Sequence, residues 1–353
     1  MTTRCDLPGC LMCPRSAWPE RWLHQDLSWQ NFERLIPALK FFKHIHLSGW
    51  GEPLLHPHLW DMAQAARSQG CTVSLTTNGM NLTEAMQVQV LKHLDMVAVS
   101  LDGARAETFE RLRPGADFQR VTQQIAALCS RKRTLGTQRP EVVLLFMKMR
   151  PNVAELPDFL RLAAALGVDR VNATNLDFIA APAMEGLTLV PSAPDPEIAA
   201  IFEQTQRQAE KFCLPFRNVG STPVSDLIVC DANPLKNIFV TAAGDLSPCV
   251  YLGLPVAGTF SRHFFQKSYS AQNYCYGNTI AQEFSEILHQ PSYQEFTAFF
   301  HNRVSTSSRL MDNLVPNPQA PIRQDGGGKN PPIAEPLLPL PQACQGCYKS
   351  LGF

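Results

Sequence analysis

The chain reads as an α/β protein: a partial (βα)6 TIM-like barrel with its first strand truncated, followed by a small C-terminal α+β unit. Three observations predict this. From residue 28 to about residue 176, amphipathic stretches with three- and four-residue apolar spacing alternate with short apolar runs, the pattern of βα units around a parallel sheet. The alternation then stops, and a Pro-rich connection leads into a different pattern. With 353 residues the chain can bury one large core and a smaller one.

The elements follow in order. Ser28 is placed to cap a helix carrying Phe32, Leu35, Ile36 and Leu39 on one face. His44 to Ser48 reads as a strand, Leu59 to Arg67 as a helix and Thr72 to Thr76 as a strand. Asn78-Gly79 turns the chain before a helix starting near Thr83, and Met96 to Leu101 is the next strand. Residues 118 to 132 form a helix, Val142 to Met149 a strand, Leu156 to Leu166 a helix ended by Gly167, and Val168 to Thr174 the last strand. That gives five strands, too few for a closed eight-stranded barrel. A sixth is expected before the first cysteines, where only Met1 to Arg4 stand, as though the start lay too far downstream. A helix near Glu197 to Phe212 follows, then Asn237 to Val240, Ala243-Gly244-Asp245 and Cys249, which resemble a hairpin. The expected division is therefore a barrel over 1–178, a connection with a helix over 179–225, and a second unit over 226–353 that contains an extended Pro/Gly-rich stretch, 314–342.

Composition excludes several classes. Lysine plus arginine equals aspartate plus glutamate, 31 each, and the one short basic run, Arg131-Lys132-Arg133, reads as the solvated end of a helix. No footprint for nucleic acid or an anionic membrane is present. Apolar runs such as Val142 to Met147 are too short to span a bilayer, and the first residues show no signal-peptide pattern. A cytosolic protein is expected. Eleven cysteines in a chain of this size do not read as a disulfide scaffold; in a reducing compartment, clustered thiols read as metal ligands.

Cys5, Cys10 and Cys13 share one short loop. Three thiolates facing one four-iron cluster leave one iron open for a ligand, which is a catalytic arrangement. A zinc loop is the bland alternative, although zinc takes a fourth nitrogen or sulfur ligand nearby. Gly49-Trp50-Gly51-Glu52-Pro53 follows a strand, where glycines let the backbone approach a ligand closely. Thr77-Asn78-Gly79 and Ser100-Leu101-Asp102-Gly103 stand at strand ends, the edge where α/β barrels place ligand groups. Ordinary turn chemistry by Asn78 and Asp102 is the competing reading.

Together these motifs resemble the radical S-adenosylmethionine superfamily, in the branch with a C-terminal SPASM or twitch-type auxiliary cluster domain. The resemblance runs from the first cysteine loop to Cys347. It implies that Cys5, Cys10 and Cys13 bind a 4Fe-4S cluster whose open iron chelates S-adenosylmethionine. The first gap holds four residues where the family has three, with Pro8-Gly9 supplying the extra one. The resemblance further implies cofactor contacts by Gly49, Trp50, Gly51, Glu52, Asn78, Ser100 and Asp102, with Lys148 and Asn175 as further candidates and Arg113 as a carboxylate clamp. Trp50 stands where the family has glycine. Cys230, Gly244 and Cys249 resemble the opening half of the SPASM signature, and Cys344 and Cys347 complete four ligands for one auxiliary 4Fe-4S cluster. Cys275 is a spare ligand or active-site thiol against the alternative of a buried structural cysteine; Cys71, Cys129 and Cys213 read as core. His44 with His46, and His56 with His58, read as polar packing rather than metal ligands. The implied reaction is reductive cleavage of S-adenosylmethionine to a 5′-deoxyadenosyl radical that abstracts a substrate hydrogen, fed by a reduced flavodoxin or ferredoxin-type donor. Peptide or protein modification or maturation is the favoured substrate class. Dehydrogenation or rearrangement of a small metabolite is the alternative within enzymes, and a non-catalytic iron-sulfur electron-transfer protein is the alternative outside them.

Overall fold

Six strands line up in one sheet in sequence order, all parallel: β1 (His44–His46), β2 (Thr72–Thr77), β3 (Met96–Ser100), β4 (Glu141–Lys148), β5 (Arg170–Asn175) and β6 (Phe216–Asn218). The computed structural model describes residues 1–189, 195–220, 227–314 and 339–352. Every connection between neighbouring strands carries a helix, because parallel pairing obliges the chain to return to the same end of the sheet. The pleat sorts the side chains: Val97, Val99, Val142, Leu144, Phe146, Val171 and Ala173 are buried in the core, while Ser100, Leu145, Met147, Asn172 and Thr174 on the other face are half-buried. Ser28 caps the helix Trp29–Leu39, its side chain accepting from the Asn31 amide at 3.2 Å, and Gly167 ends Leu156–Leu166 in the left-handed region with φ 76°.

The sixth strand lies at the opposite edge from the expected one. Phe216–Asn218 pairs with β5, so the segment expected as a connection completes the sheet; three residues are too few to show an alternation. Residues 1–4 instead fold back on 25–27: Thr2 bridges Asp26 antiparallel, and the Leu27 amide donates to the Met1 carbonyl at 2.7 Å. Two smaller readings also change. Lys132 is not solvated but buried, its ammonium between both oxygens of Asp169 at 2.7 and 2.6 Å. Cys213 is exposed, with φ 50°, just past the helix Pro196–Lys211.

The C-terminal part is built on β7 (Phe239–Val240) and β8 (Asp245–Ser247), an antiparallel pair as expected, with Gly244 at φ 84° in the turn. β9 (Thr259–Phe264) and β10 (Lys267–Gln272) form a separate hairpin, and β11 (Gly277–Asn278) adds to β8. Leu246, Leu252, Tyr276, Ile287, Phe296 and Phe300 form its own buried cluster. Most of the Pro/Gly-rich stretch 314–342 lies outside the described residues. Among the described residues no helix is long and apolar enough to cross a membrane.

A candidate active site with two cysteine centres

The first centre is the loop of Cys5, Cys10 and Cys13, clasped from two sides. On one side Asp6 accepts from Asn78 Nδ2 at 2.7 Å and Asn81 Nδ2 at 2.8 Å, and Asn78 Nδ2 lies 3.8 Å from Cys5 Sγ. On the other, the Leu11 amide donates to the Leu112 carbonyl at 3.0 Å and Arg113 lies 3.9 Å from Cys10 Sγ. Gly115, with φ 82°, lets the chain pass against Pro8: a Cβ there would stand 2.7 Å from Pro8 Cδ. Arg15 donates to the Cys5 and Leu7 carbonyls from within the loop. The extra residue of the first gap thus sits in a loop held at Asp6, Leu7 and Pro8. Burial pushes the Cys5 thiol up to about 11 and raises Cys10 and Cys13, each of which also feels a neighbouring thiol of the loop. A metal centre reverses that cost by binding thiolates directly.

Around this loop the strand-end residues take distinct positions. Gly51 is required by close approach, since a Cβ would strike the Arg4 and Thr2 carbonyl oxygens. Glu52 is buried; Oε1 accepts from Thr77 Oγ1 at 2.7 Å and the Leu54 amide at 3.1 Å, Oε2 from the Asn78 amide at 2.7 Å, and burial pushes it up to about 7 despite these donors. Ser100, half-buried at the end of β3, has no side-chain hydrogen bond among the described residues. Asp102 is closed on itself: Oδ2 holds Arg113 at 2.7 and 2.6 Å, and Oδ1 accepts the Met147 amide at 2.8 Å. Arg113, read as a carboxylate clamp, grips this internal carboxylate. Trp50 turns its indole to the C-terminal part, donating to the Val250 carbonyl at 3.0 Å and meeting Tyr251 and Phe178 edge-on at 6.1 and 5.9 Å. Lys148 and Asn175, the further cofactor candidates, hold the end of β6 and the chain that follows it. Lys148 Nζ donates to Asn218 Oδ1 at 2.7 Å and to the Val219 carbonyl, and Asn175 Nδ2 donates to the Gly220 carbonyl at 2.8 Å. The histidines at 44 and 46 bond to hydroxyls of β2, such as His46 Nδ1 to Ser74 Oγ at 2.7 Å, the polar packing expected of them.

The second centre gathers Cys230, Cys249, Cys344 and Cys347 around one cavity of about 30 Å³, with Arg262, Tyr251 and Lys349 in the same wall. The residues span more than a hundred positions of sequence, and their thiols raise one another: burial pushes Cys249 up to about 12, with Cys347 and Cys230 adding to it. Cys344 is raised by burial and by the other three. Asp177 joins this wall to the end of β5, accepting from Tyr251 Oη at 2.8 Å and pairing with Lys349 at 2.7 Å through the same oxygen. Four half-buried thiols on one cavity are a donor set for a four-cysteine cluster. Among the described residues no three His, Cys, Asp or Glu side chains stand close enough together to grip a single ion. Cys275 is outside both centres and exposed rather than buried, donating to the Gly277 carbonyl at 3.2 Å.

Comparison with known proteins decides the family. Residues 1–140 match the model of the radical SAM superfamily, and residues 230–310 match the SPASM model, an iron-sulfur cluster-binding domain. The chain is a radical SAM enzyme with a SPASM domain. This radical SAM enzyme is 22% identical over 304 residues to the tungsten-containing aldehyde ferredoxin oxidoreductase cofactor-modifying protein of Pyrococcus furiosus, covering 84% of the chain and 81% of that protein. It is 26% identical over 170 residues to the mycofactocin maturase MftC of Mycobacterium tuberculosis, 47% of the chain and 41% of the maturase, so it spans well under half of that relative. Among solved structures, Streptococcus suis SuiB bound to S-adenosylmethionine superposes with a TM-score of 0.60 at 14% identity, covering 84% of the chain and 66% of SuiB. SuiB bound to its precursor peptide SuiA gives 0.55 at 13% identity, covering 83% and 64%. These likenesses bear out the fold: a parallel sheet with helices and a small C-terminal domain.

Sequence reasoning singled out the seven cysteines together with Asn78 and Arg113, but not Asp6, Arg262, Asp177 or Lys349. Asp6 sat in plain view inside the cysteine loop; its acidic side chain beside two asparagine turns was the available signal. Arg262, Asp177 and Lys349 come together only through the tertiary fold, and no local pattern marks them.

Proposed function

We propose that this radical SAM enzyme modifies a peptide or protein substrate, using an N-terminal cluster held by Cys5, Cys10 and Cys13 and one auxiliary cluster held by Cys230, Cys249, Cys344 and Cys347. The observation that carries the reading is the pairing of a clasped three-cysteine loop with four cysteines brought to one cavity. When bound, the N-terminal cluster and S-adenosylmethionine supply a 5′-deoxyadenosyl radical able to abstract a substrate hydrogen. The chain's own residues orient and enclose. The Ser100 hydroxyl would face the cofactor, while Gly51, packed on the Thr2 and Arg4 backbone, and the carboxylates of Glu52 and Asp102 shape the turns around it. Trp50 closes the seam between the barrel and the auxiliary centre. A fully ligated auxiliary centre suits electron transfer rather than substrate binding, and a reduced flavodoxin or ferredoxin-type protein is the matching donor. The peptide class is supported by the mycofactocin maturase likeness and by the neighbour solved with its precursor peptide.

Anaerobic incubation with S-adenosylmethionine and dithionite tests the chemistry. We expect 5′-deoxyadenosine from the wild type and none from a C5A/C10A/C13A variant. Equal product from both contradicts the assignment of the loop.

A further inference from the structure

Two buried donors stand unpaired beside the second centre. Tyr276 is 2% exposed, and among the described residues its hydroxyl has no partner. Its ring packs on Tyr293 at 5.0 Å and on Tyr274 and Phe296 at 5.9 Å, in the same apolar cluster as Cys249 and Cys344. Burial raises the phenol, and Tyr293, Cys249, Tyr274 and Cys344 raise it further. Arg262 is also 2% exposed and lines the four-cysteine cavity. Its two terminal nitrogens donate to the Ala343 and Tyr251 carbonyls at 2.9 and 2.8 Å, while Nε is buried without a partner among the described residues.

A buried unpaired hydroxyl is costly, and phenylalanine would pack in the cluster with Phe296 and Phe300 without that cost. Arg262 lines the four-cysteine cavity, and Tyr276 belongs to the apolar cluster against which Cys249 and Cys344 pack, so both lie close to where acceptors of growing negative charge are expected. We propose that Tyr276 Oη and Arg262 Nε donate hydrogen bonds to the sulfur shell of the auxiliary cluster and hold its reduction potential up. This rests on the two-cluster reading above. Four thiolates already make the site anionic, and reduction adds one electron with no proton. Donors to the sulfurs bind the reduced form more strongly than the oxidised one, so they favour electron uptake. Tyr276 and Arg262 are positioning residues that tune the centre as an electron acceptor.

The test is a redox titration of the full-length C5A/C10A/C13A protein, reconstituted with iron and sulfide and followed by electron paramagnetic resonance under dithionite with mediators. Tyr276→Phe is expected to lower the reduced-to-oxidised ratio at fixed potential about tenfold, a fall in midpoint of about 59 mV for one electron. Arg262→Lys, which keeps the charge but loses Nε, is expected to move it the same way. Without iron, Tyr276→Phe should unfold no earlier than its parent, since its hydroxyl holds no protein atom. An unchanged midpoint in Tyr276→Phe overturns the hydrogen-bond assignment alone. A parent protein that takes up no iron overturns it together with the two-cluster reading, and the iron count tells the two failures apart.

Discussion

Arg113 shows how a single residue joins the cysteine loop to the barrel. Its guanidinium gives Nε and Nη2 to one oxygen of buried Asp102, is itself largely buried, and reaches toward Cys10. Removing one partner of such a pair leaves the other charge buried and alone, at a cost of about 3–5 kcal/mol. Arg113→Met is therefore expected to destabilise the iron-free protein by that order in denaturant unfolding. The R113M/D102N double variant should lose clearly less, because no charge is stranded; equal losses would mean that the pair does not act as a unit. The residues also show where a sequence stops being informative. Cys5, Cys10 and Cys13 were legible because their geometry is local to one loop. Asp102 was read as a ligand contact because it follows a strand, yet its partners are Arg113, one helix further on, and the Met147 amide, two elements away. Tyr276 and Arg262 carried no signal, since an unpaired buried donor exists only once the fold has enclosed it.

At the scale of the element, β6 is the least legible strand and the most dependent on its neighbours. Three residues pair with β5, and Lys148 and Asn175, opposite one another across β4 and β5, hold the chain that follows. Lys148 is fully buried over the Phe202 ring at 4.7 Å, and burial lowers its ammonium to about 7. The unfolded chain keeps a lysine protonated to about 10.4, so between about 7 and 10.4 the unfolded state binds the extra proton and stability rises with pH. The contribution is present above the unfolded value and lost as pH falls through about 7. Thermal unfolding of wild type and Lys148→Met between those values should therefore differ in slope, with the wild type gaining relative stability as pH rises; parallel slopes would show that Lys148 does not titrate in the folded protein. The longer elements were legible for the converse reason. Leu156–Leu166 has a full apolar face and a terminating Gly167, and β4 carries a run of buried apolar residues, Val142, Val143, Leu144 and Phe146.

For the whole molecule, the two centres are held on one continuous body. Trp50 and Tyr251 meet across the seam, Tyr251 and Lys349 bond to Asp177 just past β5, and Arg262 ties the last described segment to the wall of the second centre. The overall plan of barrel followed by cluster domain was legible from repeated βα periodicity and cysteine spacing. The joining of Cys230 and Cys249 to Cys344 and Cys347 is a product of the fold, across a sequence gap that no periodicity bridges. The most direct measurement of the account is iron and sulfide per chain after anaerobic reconstitution, in wild type, in C5A/C10A/C13A and in C230A/C249A/C344A/C347A. Two independent four-iron centres predict about eight irons in the wild type and about four in each variant. Unchanged iron in either variant, or a wild type that saturates at about four, would contradict it.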